Sequence, residues 1–261
     1  MVRGLYVAAN SLLVQEAAHD TIATNLANVS TPGYRRAVPS VESFPAVLGR
    51  VASQPDLLRQ GFVGQGAPVL QSLSTAEQAV PHLSARQTTD FTPGAHQQTD
   101  NPCDLALDGP GFFVVQAATG EAYTRAGSFT LDNEGYLTTP GGHRLMGEAG
   151  AIKVSGRNWS VTPKGDVACD GAVVDRVRVV DFEAKPALSR LGDNLFAAGE
   201  MQPVAVDEVA IRQGYIEGSN VNAVSEMVNM ITGLRAFETN QKVIQAVDST
   251  LDRVINEVGR V

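Results

Sequence analysis

The sequence predicts an α+β fold: long N- and C-terminal helices forming a coiled-coil-like pair, with a central antiparallel β-domain. Three observations carry this expectation. The last forty residues, 222–261, hold apolar rows at helical spacing with no proline among them. Residues 4–29 hold a second proline-free apolar row. Between the two lie short runs of β-forming residues, separated by turns rich in glycine, proline and Asx residues. The expected layout is a helical segment at 1–36 and an extended Pro/Gly-rich connector at 37–97. A β-rich domain at 98–200, a return segment at 201–221 and a helix at 222–261 pairing with the first complete it.

Composition narrows the function classes. The chain has 261 residues and a net charge of −8. It carries no lysine/arginine cluster, which argues against nucleic acid. No apolar run reaches the length of about eighteen residues that a membrane span needs, so membrane insertion is not expected. Near the N-terminus Arg3 is followed by Asn10, Gln15, Glu16 and His19, which interrupt any apolar core of a cleavable signal. The expectation is a protein either cytosolic or exported by a route that leaves its N-terminus intact. Two cysteines, Cys103 and Cys169, allow a disulfide or two buried thiols. Nothing gives them redox or zinc spacing, which favours thiols.

In the first helix Leu5, Ala8, Leu12, Ile22, Leu26 and Val29 share a seam, broken in the middle by Gln15 and His19. Ala9, Ala17, Ala18, Ala23 and Ala27 lie beside it and would let a second helix come close. Ser30-Thr31-Pro32-Gly33 stops the helix, because proline removes a donor and glycine supplies turn geometry. From about Ala37 to Gly94, Pro39, Pro45, Pro55, Pro68, Pro81 and Pro93 punctuate the chain. This reads as an extended connector; a proline-rich β-segment of the next domain is the alternative.

The β-block opens with a strand at Gly111–Gln116, followed by Ala122–Arg125, Gly127–Leu131 and Tyr136–Thr138. Asp132-Asn133-Glu134-Gly135 supplies the left-handed positions of a hairpin turn. Further short strands are expected at Arg144–Met146, Ile152–Val154, Trp159–Val161, Val167–Cys169 and Val177–Phe182.

The last helix carries two rows. Val224, Met227, Val228, Ile231 and Leu234 recur at three- and four-residue steps. Met230, Phe237, Ile244, Val247, Leu251, Val254, Val258 and Val261 follow at heptad spacing, with breaks at Gly233 and Asn240. Asn220 or Asn222 would cap a helix roughly 50 Å long. It either packs on its own domain or needs a partner helix, for which the N-terminal one is the candidate.

Catalytic and metal constellations do not assemble. His19, His82, His96 and His143 are scattered without ligand spacing. There is no Gly-x-Ser-x-Gly elbow, phosphate loop or dinucleotide fingerprint. Asp100, Asp104 and Asp108 recur every fourth residue, but Pro102 and nearby glycines break any helix, so they read as turn-capping residues. No active site, metal or cofactor is expected.

Three stretches resemble the bacterial flagellar rod and hook axial proteins. Asp20–Tyr34, containing Asn25-Leu26-Ala27-Asn28, Thr31, Gly33 and Tyr34, is similar to their N-terminal signature. Thr99–Phe113, with Asp100, Asn101, Pro102, Asp104, Gly109, Gly111 and Phe112, looks like the start of their middle domain, and Ala122–Leu131 continues it. Gln213–Asn222, with Ser219-Asn220-Val221, Met227–Ile231 and Arg235–Glu238, is similar to their C-terminal signature. Thr24 stands where Asn is usual, Cys103 where Leu is usual, and Ala126 where a polar residue is usual. The 37–94 stretch matches least.

The resemblance implies a non-enzymatic structural subunit of the rod, of the proximal or distal type, in the drive shaft that crosses the periplasm and transmits motor torque to the hook. It implies passage through the flagellar export apparatus without signal cleavage. It also implies a helical homo-oligomer whose terminal helices form the inner layer, in contact with other rod and hook axial proteins. The implied interface is the helix seams: Leu5, Leu12, Ile22, Leu26 and Val29 on one, Met227, Ile231, Phe237, Ile244, Val247, Leu251, Val254 and Val258 on the other. Composition alone also permits a cell-wall-binding module or a coiled-coil adaptor with a β-domain.

Overall fold

The computed structural model describes residues 2–43, 83–117, 120–154, 159–206 and 210–258. Two helices, α1 (Val2–Ala27) and α2 (Ala223–Val258), frame eighteen strands among these residues. α1 stops two residues before the expected Val29. Asn28 and Val29 donate back to the carbonyls of Asn25 and Leu26, closing three-residue turns ahead of Pro32.

The stretch expected as a connector begins and ends in paired strands. β1 (Ala37–Ser43) and β2 (Leu83–Thr89) form a two-stranded sheet, and residues 44–82 lie outside the described residues. β3 (His96–Gln98) and β4 (Leu105–Leu107) then pair with strands from the far end of the body. β4 takes β17 (Ile211–Gln213), and β3 takes β18 (Tyr215–Glu217). The return segment thereby closes on the start of the β-block.

The largest sheet is built on β5 (Phe112–Ala117). β6 (Gly120–Thr124) lies along one edge of it. The other edge is shared: β13 (Val179–Asp181) pairs with Phe112 and Phe113, and β9 (Arg144–Leu145) with Val115 and Gln116. Outward from β9 come β8 (Leu137–Thr138) and β7 (Thr130–Leu131). Outward from β6 come β15 (Leu195–Ala197) and β14 (Ser189–Gly192), while β16 (Val204–Ala205) extends β13. β10 (Trp159–Val161), β11 (Asp166–Cys169) and β12 (Ala172–Arg176) make a separate three-stranded sheet.

Both faces of β5 are covered, which is why Phe-Phe-Val-Val reads as an unbroken apolar run rather than an alternation. Phe113, Val115 and Ala117 enter a core with Leu105, Phe129, Leu137, Leu145, Ile152 and Val167. Phe112 and Val114 enter a second with Tyr123, Phe182, Leu188 and Phe196. Phe112 stacks edge-on to Phe91 at 5.8 Å and to Phe196 at 5.9 Å. Cys169 lies in the first core and Cys103 packs against it; both are free thiols, and burial pushes the Cys103 thiol up.

The chain divides into two compact units. One comprises Met1–Thr24, Ala37–Thr88 and Val224–Val261; the other, the β-body, comprises Asn25–Arg36 and Thr89–Ala223. No helix among the described residues is long and apolar enough to cross a membrane.

The expected fold class needs correction. The α and β parts are present, but the long coiled-coil-like pair is not shown, and the β-part is larger than one small central domain. Within their unit, α1 and α2 line one common cavity of about 260 Å³, with Gln15, Glu16, His19 and Asp20 opposite Gly233, Leu234 and Phe237. The polar break of one helix therefore faces the glycine break of the other. Gln15 Oε1 and His19 Nε2 are buried without a partner among the described residues. A knobs-into-holes seam requires apolar side chains at such positions, and two polar residues opposite a glycine supply none. Val224, Met227, Val228, Ile231, Leu234 and Val243 of α2 and Leu13 of α1 are instead exposed. One helix cannot cover two apolar rows of its neighbour.

Candidate functional site

Three buried charges from distant parts of the chain meet in the β-body. Glu217, at the end of β18, is 1% exposed, and its carboxylate takes Arg35 Nη2 at 2.7 Å and Arg125 Nε at 2.5 Å. Those two side chains are 3% and 4% exposed. The Gly94 amide donates to the same carboxylate at 2.8 Å. The backbone carbonyl of Glu217 accepts the Gly33 amide at 2.7 Å. One residue thus fastens the turn after α1, the strand that ends at Thr124 and the chain entering β3.

The remaining donors of Arg125, and Nη1 of Arg35, are directed at backbone, while Arg35 Nε is buried without a partner among the described residues. Arg125 Nη1 donates to Gly111 O at 2.5 Å, and its Nη2 donates to Leu107 O and Gly109 O at 3.1 and 2.5 Å. Asp108-Gly109-Pro110-Gly111 wraps the guanidinium in carbonyls, with Gly109 and Gly111 at φ +119° and +125°, where a side chain would be strained. Arg35 Nη1 donates to Thr92 O at 2.9 Å. At Gly33 a Cβ would collide with the Ala126 backbone, so glycine is what lets this turn touch the body.

Asn220 does parallel work with uncharged groups. Its Oδ1 accepts the Arg36 amide at 2.6 Å, and its Nδ2 donates to Asp90 O and Thr92 O, each at 3.0 Å. It is a bridge, not the helix cap; Asn222 occupies the position before α2. Tyr34 is buried, with its hydroxyl donating to Asn25 Oδ1 at 3.2 Å. The Arg190 guanidinium lies 5.1 Å above the Tyr34 ring and donates to Arg35 O.

Burial alone would push the Glu217 carboxyl up, but Arg125, Arg35 and the Gly94 amide more than offset this and hold it below its ordinary range. Burial likewise brings Arg35 down, opposed by Glu217. Removing charges from water costs much of what their attraction returns, so such a cluster is better read as fixing which segments meet than as a source of net stability.

The structure brings together most of the signature residues. Asn28 Oδ1 accepts the Thr31 hydroxyl at 3.1 Å in the turn that Gly33 and Tyr34 complete. Leu26 and Val29 are half-buried, and Ala27 is exposed. Asp104 Oδ2 accepts the Thr99 hydroxyl at 2.7 Å, Asn101 Oδ1 accepts the Cys103 amide at 3.2 Å, and Asp100 Oδ1 accepts from Gln98 at 2.7 Å. Pro102 O accepts from Gln213. Asp108 pairs with Arg212. Ser219 Oγ accepts the Val221 amide, and Val221 is buried. The aspartates are thus local turn and pairing groups.

The helix-seam residues distribute differently. Leu12, Ile22, Phe237, Ile244 and Val247 are half-buried, whereas Met227 and Ile231 are exposed. The side chains of Leu5, Leu251, Val254 and Val258 lie outside the described residues. Sequence reasoning missed Arg35, Arg125 and Glu217 as partners. The available signal was a charge set inside each of two apolar strand patterns, Tyr123-Thr124-Arg125 and Tyr215-Ile216-Glu217.

Comparison with known proteins covers the same segments. A family described as "Flagella basal body rod protein" matches residues 5–35. "Flagellar hook protein FlgE/F/G D1 domain" matches 106–169, and "Flagellar basal body rod FlgEFG protein C-terminal" matches 212–257. The flagellar basal-body rod protein FlgG of Agrobacterium fabrum is 31% identical over 95% of this chain and 96% of its own length. FlgG of Bacillus subtilis is 30% identical over 98% and 99%. The flagellar basal-body rod protein FlgF of Escherichia coli is 34% identical over 94% and 93%. The clamp draws one residue, Arg125, from the second matched region and one, Glu217, from the third, with Arg35 closing the first. The chain belongs to the flagellar basal-body rod proteins, a structural and not an enzymatic family, and is a structural subunit of the rod in the flagellar basal body.

Proposed function

We propose that copies of this chain pack helically through the apolar helix faces left open in a single copy, with other rod and hook axial proteins continuing the stack. The observation that supports this is the exposed row of Val224, Met227, Val228, Ile231 and Leu234 on α2, with Val224 71% exposed. A contiguous exposed apolar stripe spanning three turns marks a surface that a neighbour covers. The half-buried row of Phe237, Ile244 and Val247, with Leu251, Val254 and Val258 by sequence spacing, and the N-terminal seam of Leu5, Leu12, Ile22, Leu26 and Val29 supply further contact. Segments 1–36 and 222–261 are then the assembling parts, the 98–200 block is the outer body, and the 37–97 and 201–221 stretches join them. The Glu217 clamp fixes the points where the chain leaves the body, so that torque entering the helices reaches it. Subunits reach the site of assembly through the flagellar export apparatus.

Ile231→Asp tests the reading. Ile231 is exposed, so the isolated variant should melt as the wild type does. In the assembly the charge faces apolar neighbours, at a cost on the order of several kcal/mol. The variant should be missing from isolated basal bodies and its cells non-motile. Normal incorporation and swimming would remove the α2 row as an assembly surface.

A further inference from the structure

The two helices carry exposed stripes that match in spacing and oppose in charge. On α1, Ala9, Leu13, Glu16, Asp20 and Ala23 recur at steps of four and three residues and are all exposed. On α2, Val224, Val228, Ile231, Arg235, Glu238 and Lys242 recur at the same steps and are exposed as well. That spacing keeps each set on one side of its helix, the arrangement by which helices interlock. Between Arg3 and Arg35 the chain has no lysine or arginine, so Glu16 and Asp20 make the α1 stripe acidic without compensation. The α2 stripe holds two cations and one acid. Within one copy Glu16, Asp20, Arg235 and Lys242 form no ion pair among the described residues.

An unfilled acceptor lies at the same place on α1. Glu16 and Asp20 line the cavity of about 260 Å³, which Gln15 lines too, and Gln15 Oε1 is buried without a partner among the described residues. A guanidinium carries five N–H donors, more than one carboxylate takes. One held by these two acids has donors to spare for the amide oxygen.

We propose that the α1 stripe of one copy receives the α2 stripe of the next, with Arg235 held by the Glu16 and Asp20 pair, a contact that rests on the reading that copies assemble through their helix faces. The small Ala9 and Ala23 leave room for the larger valines and isoleucine. Charge then selects the register. With the two helices running in the same direction, Asp20 meets Arg235 and Leu13 meets Val228. With the helices opposed, Glu16 meets Arg235 and Ala23 meets Val228. A shift of one heptad either way sets an acid of α1 against Glu238, a like-charge contact, or sets both acids against Val224 and Val228. The two stripes are different surfaces of one chain, so the contact is head-to-tail and propagates from copy to copy.

Charge exchange tests the contact. Arg235 is exposed, so isolated Arg235→Glu should melt as the wild type does. In cells it should be missing from isolated basal bodies, and so should the double variant Glu16→Arg, Asp20→Arg. Joining all three substitutions should restore incorporation. Full incorporation of Arg235→Glu, or no restoration in the triple variant, overturns the contact. A photo-crosslinking amino acid at Leu13 reads proximity with the charges intact. Irradiated basal bodies should give a dimer of this chain whose crosslinked peptide lies within residues 224–242. Adduct to another protein, to another part of the chain, or to nothing overturns the contact. Loss of Ile231→Asp from basal bodies while Arg235→Glu is retained would remove this contact and leave the assembly reading standing. Retention of both would remove the assembly reading with it.

Discussion

At Glu217 a carboxylate lies between two guanidinium groups in a site closed to water, so removing its charge leaves Arg35 and Arg125 without their common acid. Glu217→Gln should destabilise the body by about 3–5 kcal/mol, the range for breaking a buried pair from one side. Acid should act in the same direction. The folded-state carboxyl is held below its ordinary value of 4.5, so its contribution is complete above that value and is lost as pH falls through the folded one. Melting curves taken downward from pH 7 should show the wild type losing stability below about 4.5. The glutamine variant should lack that component; the same acid slope in both would assign the sensitivity to other groups. The pairing itself was not legible in the sequence, which shows only that Arg125 and Glu217 interrupt apolar strand patterns. Arg35, Arg125 and Glu217 lie some ninety residues apart from one to the next, and charge pairing across such distances leaves no periodic trace. The turn chemistry at Asp132 was legible, because that residue acts on its own neighbours. Asp132 Oδ1 accepts the Glu134 and Tyr136 amides at 2.9 and 2.8 Å, as an Asx turn should.

Among the elements, β5 decides how the body packs, since each of its faces belongs to a different core. Phe112→Ala removes the ring that meets Phe91, Phe182 and Phe196, and should cost about 3–5 kcal/mol by denaturant unfolding. Val173→Ala on the exposed edge of β12 should change stability by less than about 0.5 kcal/mol. Similar losses for the two would contradict the placement of the cores. Strands with a compact apolar signal were readable at this scale: the run expected at Gly111–Gln116 is observed at Phe112–Ala117. β1 and β2 were not, because Pro39 and polar residues such as Gln87 mask an extended pairing. The helices were readable from their periods, but the way they meet was not. Period reports which residues share a face and says nothing about whether the opposing face is filled; here Gln15 and His19 meet Gly233.

For the whole molecule, the clamp holds residues 25–36 into a body otherwise made of residues 89–223. A chain cut at a protease site introduced within residues 44–82 should therefore stay together at neutral pH, since the first piece keeps its bonds to Glu217 and Asn220. In the Glu217→Gln background the pieces should separate on gel filtration. Separation in the wild type would mean that the clamp alone does not hold the two ends of the chain. The larger account is that the apolar row of α2 is open in one copy and covered in the rod. Met227 reports on this directly, because its thioether oxidises to the sulfoxide only where solvent reaches it. It is exposed in the single chain. Brief peroxide treatment of the free protein and of isolated basal bodies, read by mass spectrometry of the peptide carrying Met227, should show rapid oxidation in the first and strong protection in the second. Equal oxidation in both would mean that no neighbour covers the row, and the helical assembly through α2 would be wrong.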